Sequence, residues 1–264
     1  MKLAANYVEK PWGRTVLPVP FKNHAGKIGE IWFDAENRDL PLLVKYLFTS
    51  EKLSIQVHPN DVEAKQRGAR SGKEECWYIL DAEPGATLGI GTKYEISAGH
   101  LRDAAMSGAI EQLIDWKPVR AGDYFYIPAG TVHAIGAGIS LIEVQQNADI
   151  TYRLYDYGRD RALHLDDGLA VSKARPYDDP RSGNVGTEDF CTLADSSLFR
   201  LMFTSGTGNQ RMAFADVPYW IMPISGTYRC GAETLEAGEC GYYEPELDLE
   251  FTEGARALIA QSKF

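Results

Sequence analysis

Short runs of β-branched, aliphatic and aromatic residues recur along the N-terminal part of the chain, each closed off by glycine, proline, asparagine, serine or aspartate. They are Ile28 to Asp34, Leu42 to Phe48, Leu53 to His58, Cys76 to Leu80, Thr87 to Ile90, Tyr124 to Ile127 and Ser140 to Gln145. Such runs are short for helices, and their composition suits a pleated, half-buried surface. Helical signals are fewer. Asn60 can cap a helix over Asp61 to Arg67, Ser97 a short one through Met106, and a third follows over Ala109 to Trp116. The expected fold is therefore mainly β, with a few short helices.

The chemistry-bearing residues sit at the ends of these runs. Ser54-Ile55-Gln56-Val57-His58-Pro59-Asn60 alternates and is stopped by proline. Side chains at i and i+2 of a strand share a face, so Gln56 and His58 can point at one spot. Glu75, in Gly72-Lys73-Glu74-Glu75-Cys76-Trp77, and His133, just past the turn and strand of Val119 to Pro128, could complete an N2O2 set there. Each residue alone has an ordinary explanation: a core or rim histidine, a solvent-facing glutamine, a surface acid, a loop histidine. The combination at strand ends, where a β scaffold usually holds a site, is less ordinary. Nitrogen and oxygen ligands without sulfur suit zinc, and equally manganese, iron or nickel. His100 falls on the second helix and reads as a surface residue.

With 264 residues the chain can hold one large domain or two small ones. A net charge of −10 and a pI near 5.0 argue against nucleic-acid or anionic-membrane surfaces, which need basic patches. Any anionic substrate must be attracted locally. The start Met1-Lys2-Leu3-Ala4-Ala5-Asn6 lacks the apolar run of a signal peptide, and no stretch approaches the roughly 18 apolar residues of a membrane span. A cytoplasmic protein is expected. Cys76, Cys191, Cys230 and Cys240 are too scattered for a disulfide framework and read as reduced and structural.

Residues 174–184 have the proline, glycine and charge content of a linker. A boundary near them would separate a metal-binding domain over 1–175 from a smaller β domain over 185–264. The second part repeats the first in outline. Val119-Arg120-Ala121-Gly122-Asp123 has a loose counterpart in Leu235-Glu236-Ala237-Gly238-Glu239, and Trp77-Tyr78-Ile79-Leu80 one in Trp220-Ile221-Met222-Pro223. No histidine follows His164, so the second part cannot rebuild the ligand set.

Taken together, several segments resemble the type I mannose-6-phosphate isomerases, zinc enzymes of the cupin superfamily. They are Val8-Glu9-Lys10-Pro11-Trp12-Gly13, Gly29-Glu30-Ile31-Trp32, Leu42-Leu43-Val44-Lys45, Leu53 to Asp61, Gly72-Lys73 with Glu75 and Trp77, the Gly122-to-His133 turn, and Asn147 to Asp156. They fall in the family's order and cover roughly the first 160 residues. The resemblance implies tandem cupin (jelly-roll) β-barrels, the second without metal, and one zinc ion per chain on Gln56, His58, Glu75 and His133. It places Lys73 and Arg153 in the substrate pocket, with Ser54 on the same face as Gln56 and His58. Glu30 and Lys45 are expected to support the site, Trp12 and Trp32 to form core and pocket wall.

The implied activity is interconversion of mannose 6-phosphate and fructose 6-phosphate through an enediolate. A proton leaves a carbon beside a carbonyl, and a Lewis acid stabilises the resulting oxygen charge. Arg153 and Lys73 are the cationic candidates, Arg153 able to make paired hydrogen bonds and Lys73 a point charge. For Arg153 the competing reading is a salt bridge to Asp149 or Asp156; for Lys73, a solvated loop lysine. A cupin dioxygenase, another metal-dependent sugar enzyme, or a non-catalytic sugar-phosphate-binding cupin would use the same scaffold, because cupins share fold more than function.

Overall fold

The computed structural model describes residues 1–35, 38–210, 217–245 and 249–263. The last stretch of the domain expected over 185–264 therefore includes positions 211–216, 246–248 and 264 that lie outside the described residues. The first part of the chain forms β1 (Ala4–Arg14), β2 (Ile28–Asp34), β3 (Leu42–Phe48), β4 (Ile55–Val57), α1 (Asp61–Gln66), β5 (Glu75–Ala82), β6 (Thr87–Thr92), α2 (Ala98–Ser107) and α3 (Ile110–Leu113). It continues with β7 (Ile114–Pro118), β8 (Asp123–Ile127), β9 (His133–Ile135), β10 (Ile139–Gln146), β11 (Tyr152–Tyr155), α4 (Leu165–Val171) and β12 (Ser182–Asn184). The elements among the described residues of the remainder are strands: β13 (Phe190–Asp195), β14 (Phe199–Gln210), β15 (Tyr219–Ser225), β16 (Thr227–Cys230), β17 (Glu233–Glu236), β18 (Gly241–Tyr243) and β19 (Leu249–Ser262).

The strands make three antiparallel sheets, ordered β1-β2-β3-β10-β5-β8-β12, β11-β4-β9-β6-β7 and β13-β14-β19-β15-β18, with β16 and β17 attached to the last through β19. Strand parity assigns the faces. In β5, Trp77 and Ile79 join Leu47, Leu141 and Ile127 in a core shared with Leu88, Ile90 and Ile135 of the five-stranded sheet. The first two sheets thus enclose a barrel interior. Tyr78, Val44, Tyr46, Ile142 and Val144 point the other way and pack against Leu201, Phe203, Trp220, Met222 and Leu258 of the third sheet. The outer face of the five-stranded sheet, through Ile55, Val57, Tyr152 and Leu154, is covered by Leu101 and Ala105 of α2 and Leu169 and Val171 of α4. The third sheet buries a further cluster around Tyr219, Ile221 and Ile259 on its far side. No described helix is long and apolar enough to cross a membrane.

Two sequence expectations change in detail. Helix over Ala109 to Trp116 is confined to Ile110–Leu113; Ile114 turns extended and the chain pairs with β6 as β7, Trp116 opposite Gly89. Tertiary pairing overrides a weak local preference. Residues 174–184 have linker composition but are fastened: Thr92 N–H donates to Arg175 O at 3.0 Å, Tyr177 Oη to Tyr126 O at 2.6 Å, and β12 extends the seven-stranded sheet beside β8. The stretch is a strap from one sheet to the other.

The loose repeat has a structural counterpart. Gly122 and Gly238, the glycines of the two Ala-Gly-acid turns, both have positive φ, +87° and +83°. Only glycine takes that conformation without steric cost.

Candidate metal centre and substrate cavity

The interior of the first barrel is apolar at one end and polar at the other, and register places the polar groups. In the five-stranded sheet Arg153 of β11 pairs with Gln56 of β4, which pairs with His133 of β9. Directly paired residues share a face, so these three side chains stand side by side. In the facing sheet Trp32, Lys45, Glu143 and Trp77 form one row across β2, β3, β10 and β5, and Glu75 opens β5 one step along the same face. His133 begins its own short strand, and His58 follows β4 immediately. The corner after His58 is set by α1: Asn60 caps it, accepting from Glu63 N–H while the Glu63 carboxylate accepts from Asn60 N–H.

His58, Glu75 and His133 converge, their candidate ligand atoms all within 4.8 Å of one another. His58 Nε2 is 3.6 Å and His133 Nε2 3.4 Å from the Glu75 carboxylate. Both rings are oriented by backbone: Nδ1 of His58 lies 2.8 Å from Ile150 O and Nδ1 of His133 2.9 Å from Thr131 O. A carbonyl only accepts, so each Nδ1 carries the proton and each Nε2 turns a lone pair toward the carboxylate. Burial, with Lys73 adding to it, holds the His58 pKa well below the usual histidine range; burial lowers that of His133 to about 4. Both rings are neutral at pH 7. Gln56 completes the group: its amide receives the Ser54 hydroxyl at 3.0 Å and stands 3.3 Å from His133 Nε2.

The donor set fits a divalent ion. His58 Nε2 and Glu75 Oε1 are buried polar atoms without a hydrogen-bond partner, an arrangement that is costly in an apolar interior unless something else completes it. Four nitrogen and oxygen donors, two of them imidazole, are the type that zinc and its neighbours take.

Beside this group runs a cavity lined by five cations, Lys10, Lys45, Lys73, Arg153 and Arg161. Four have carboxylate partners: Lys10 with Glu30 at 3.4 Å, Lys45 with Glu143 at 3.3 Å, Lys73 with Glu75 at 2.8 Å, and Arg161 with Asp156 at 2.6 Å. Arg153 has none among the described residues, and its Nε is buried without a partner. The salt bridge to Asp149 or Asp156 weighed for it from the sequence is not formed among the described residues, and Asp156 is taken by Arg159 and Arg161.

Lys73 is buried between Glu75 and Glu143, not solvated. Burial works against its charge, but Glu143 and Glu75 prevail and raise its pKa, so it is an ammonium donor. Burial also opposes charge on Glu143, yet Lys73 and Lys45 lower its pKa to about 2; burial and the Glu143 charge raise that of Glu75 to about 7. Trp32 and Trp12 line the cavity wall, Lys45 lying 4.6 Å above the Trp32 ring, while Trp77 Nε1 donates to Glu143 at 3.1 Å. His100 is exposed and lies apart.

Sequence reasoning gave no role to Lys10, Glu143 or Arg161 and named Asp156 only as a partner for Arg153. Glu143 did carry a signal, a charge inside the apolar run Leu141-Ile142-Glu143-Val144. A carboxylate in such a run needs a buried cation.

An antiparallel barrel whose interior holds a histidine–glutamate–histidine centre is a cupin-type, metal-capable protein. Residues 1–95 match the family profile described as phosphomannose isomerase type I, catalytic domain. Mannose-6-phosphate isomerase ManA of Bacillus subtilis is 41% identical over 196 residues, 70% of this chain and 59% of that protein. The chain spans about half to three-fifths of the length of such curated relatives. A crystal structure of mannose 6-phosphate isomerase from Bacillus subtilis superposes with a TM-score of 0.78 at 25% identity, covering 98% of each chain. A mannose 6-phosphate isomerase solved in a zinc-bound form shares the fold at a TM-score of 0.77 and 14% identity, covering 100% of this chain and 99% of that one. Residues 1–95 thus carry the type I phosphomannose isomerase signature, and the rest of the chain resembles mannose-6-phosphate isomerases in fold.

Proposed function

We propose that the protein is a metal-dependent aldose–ketose isomerase that interconverts mannose 6-phosphate and fructose 6-phosphate, with Gln56, His58, Glu75 and His133 holding one zinc ion. The observation that carries this reading is the convergence of two neutral imidazole Nε2 atoms and a buried carboxylate next to a guanidinium that has no carboxylate partner among the described residues. The activity and metal named for the relatives support the substrate pair and the choice of zinc.

A divalent ion held there supplies Lewis acidity for the oxygen beside the carbon that loses its proton. The rest is done by side chains. Arg153, directly across from Gln56, brings a fixed positive charge to the reacting end of the sugar, where negative charge develops in the transition state. Lys73, kept charged by its two carboxylates, donates hydrogen bonds without being consumed as a base. Ser54 sets the Gln56 amide: a half-turn of that amide presents its oxygen to the ion and its NH2 to the Ser54 hydroxyl. Trp12, Trp32 and Leu53 exclude water from the same volume, which strengthens each of these interactions.

The test is fructose 6-phosphate formation from mannose 6-phosphate by protein as purified, after chelation, and after return of Zn2+. Activity should disappear with the metal and come back with it. Absence of turnover in protein verified to hold zinc would overturn the reading.

A further inference from the structure

The segment after β11 uses one buried carboxylate to arrange two arginines. Asp156 is 2% exposed. Arg161 donates to both its oxygens, Nε to Oδ2 at 2.6 Å and Nη2 to Oδ1 at 2.7 Å, and Arg159 Nη1 donates to Oδ1 at 3.1 Å. Arg159 in turn reaches the Glu51 carboxylate at 3.2 Å and Lys52 O at 2.8 Å, which fastens the loop to the residues that lead into β4. Tyr157, directly after Asp156 in sequence, is the one described non-glycine residue with positive φ, +55°. A backbone held there signals a loop whose shape is fixed by its surroundings.

The bidentate pair occupies the Nε–Nη2 edge of Arg161. Its Nη1 has no partner among the described residues, and the side chain, 24% exposed, lines the cavity. Two guanidiniums therefore line one cavity, Arg153 and Arg161, and the backbone anchors them at different places relative to the metal group. Arg153 stands on the rung of Gln56 and His133. Arg161 belongs to a loop that starts beyond the next pairing, Tyr155 with Ile55, and is tied to Glu51 and Lys52. In a hexose 6-phosphate the reacting carbons C1 and C2 and the phosphate on C6 are at opposite ends.

We propose that Arg161 is the phosphate-reading residue of this cavity and that Asp156 is the positioning residue that aims it, leaving Arg153 free for the reacting end of the sugar. A phosphate monoester fits because a planar guanidinium edge matches two of its oxygens, and a guanidinium already oriented loses little freedom on binding. Clamping by Asp156 provides that orientation. The proposal rests on the sugar-phosphate reading above, and it extends that reading by dividing the two ends of the substrate between two arginines.

The experiment compares wild type, Arg161→Gln and Asp156→Asn, all zinc-loaded, for mannose 6-phosphate kinetics and for binding of inorganic phosphate by calorimetry. With Arg161→Gln, KM should rise on the order of tenfold or more while kcat changes much less, the signature of an interaction made equally in ground and transition states. Phosphate should bind correspondingly more weakly, with zinc content of the folded protein near wild type; some loss of melting temperature is expected because Asp156 loses a partner. Asp156→Asn should move KM and phosphate affinity in the same direction, and Asp156→Glu should restore part of the loss. A merely structural Asp156 would lower the melting temperature and leave KM and phosphate affinity of the folded fraction untouched. Unchanged KM and phosphate affinity in the folded fraction of Arg161→Gln, or of the milder Arg161→Lys, would overturn the proposal. So would a fall in kcat at constant KM. If wild type binds phosphate through Arg161 but turns over no mannose 6-phosphate, the isomerase reading fails and the phosphate site stands.

Discussion

The two histidines of the centre differ from ordinary buried histidines in what their second nitrogen does. Each spends its Nδ1–H on a backbone carbonyl, so neither can satisfy its Nε2 by changing tautomer. His58→Ala and His133→Ala should therefore each lose zinc and activity together, read by elemental analysis beside the isomerase assay; retention of both would remove that residue from the ligand set. Arg153 makes a different prediction, because among the described residues it has no ion pair to lose and its Nε is unpartnered. Arg153→Ala should keep zinc and lower kcat on the order of a hundredfold, the size seen when an oriented oxyanion donor is removed. Full activity with unchanged KM would show that the residue does nothing here.

At the scale of elements, the α1 corner holds His58 and Lys73 in their places. Lys73 N–H donates to Pro59 O at 3.0 Å and Gly72 N–H to Asp61 Oδ1 at 2.8 Å, bringing the two loops into contact. A Cβ on Gly72 would lie 2.4 Å from Asn60 C and 2.6 Å from Pro59 O, both backbone atoms. Gly72→Ala should cost about 1–3 kcal/mol, the usual range for overpacking, and weaken zinc binding because the Lys73–Glu75 segment must move; thermal melts with and without chelator read both effects. This level was partly legible in the sequence. Strands β2 and β3 followed from strand-like composition between turn residues, and the Asn60 and Ser97 caps from capping chemistry. Gln56 and His58 followed from i, i+2 spacing. Strand β9 did not: three residues between glycine-rich turns carry no period. Helix α4 did not either, since His164 at its N-cap makes no side-chain cap bond and Gly168 interrupts it. The arginine clamp was hidden because Asp156 had three cationic candidates nearby in sequence, and only folding chooses among them.

Across the whole molecule, the face of the seven-stranded sheet opposite the metal centre is covered by the third sheet, and the apolar cluster between them runs through both. The parts at 1–175 and 185–264 therefore should not melt separately. A single calorimetric transition is expected for the full chain, and two resolved transitions would contradict it. Deleting residues 185–264 would bare Tyr46, Tyr78, Ile142 and Val144, a contiguous apolar surface of the kind that drives association; aggregation in size-exclusion chromatography is the expected outcome, and a monomeric, zinc-binding fragment the contrary one. The two parts are also joined at their extremes. Leu3 N–H donates to Cys240 O at 2.8 Å and Tyr242 N–H to Met1 O at 2.9 Å, so residues 1–3 lie against β18 of the third sheet. During translation these residues leave the ribosome more than two hundred codons before their partners exist. Residues 1–3 are therefore among the last to find a place, because that place exists only once β18 has been made.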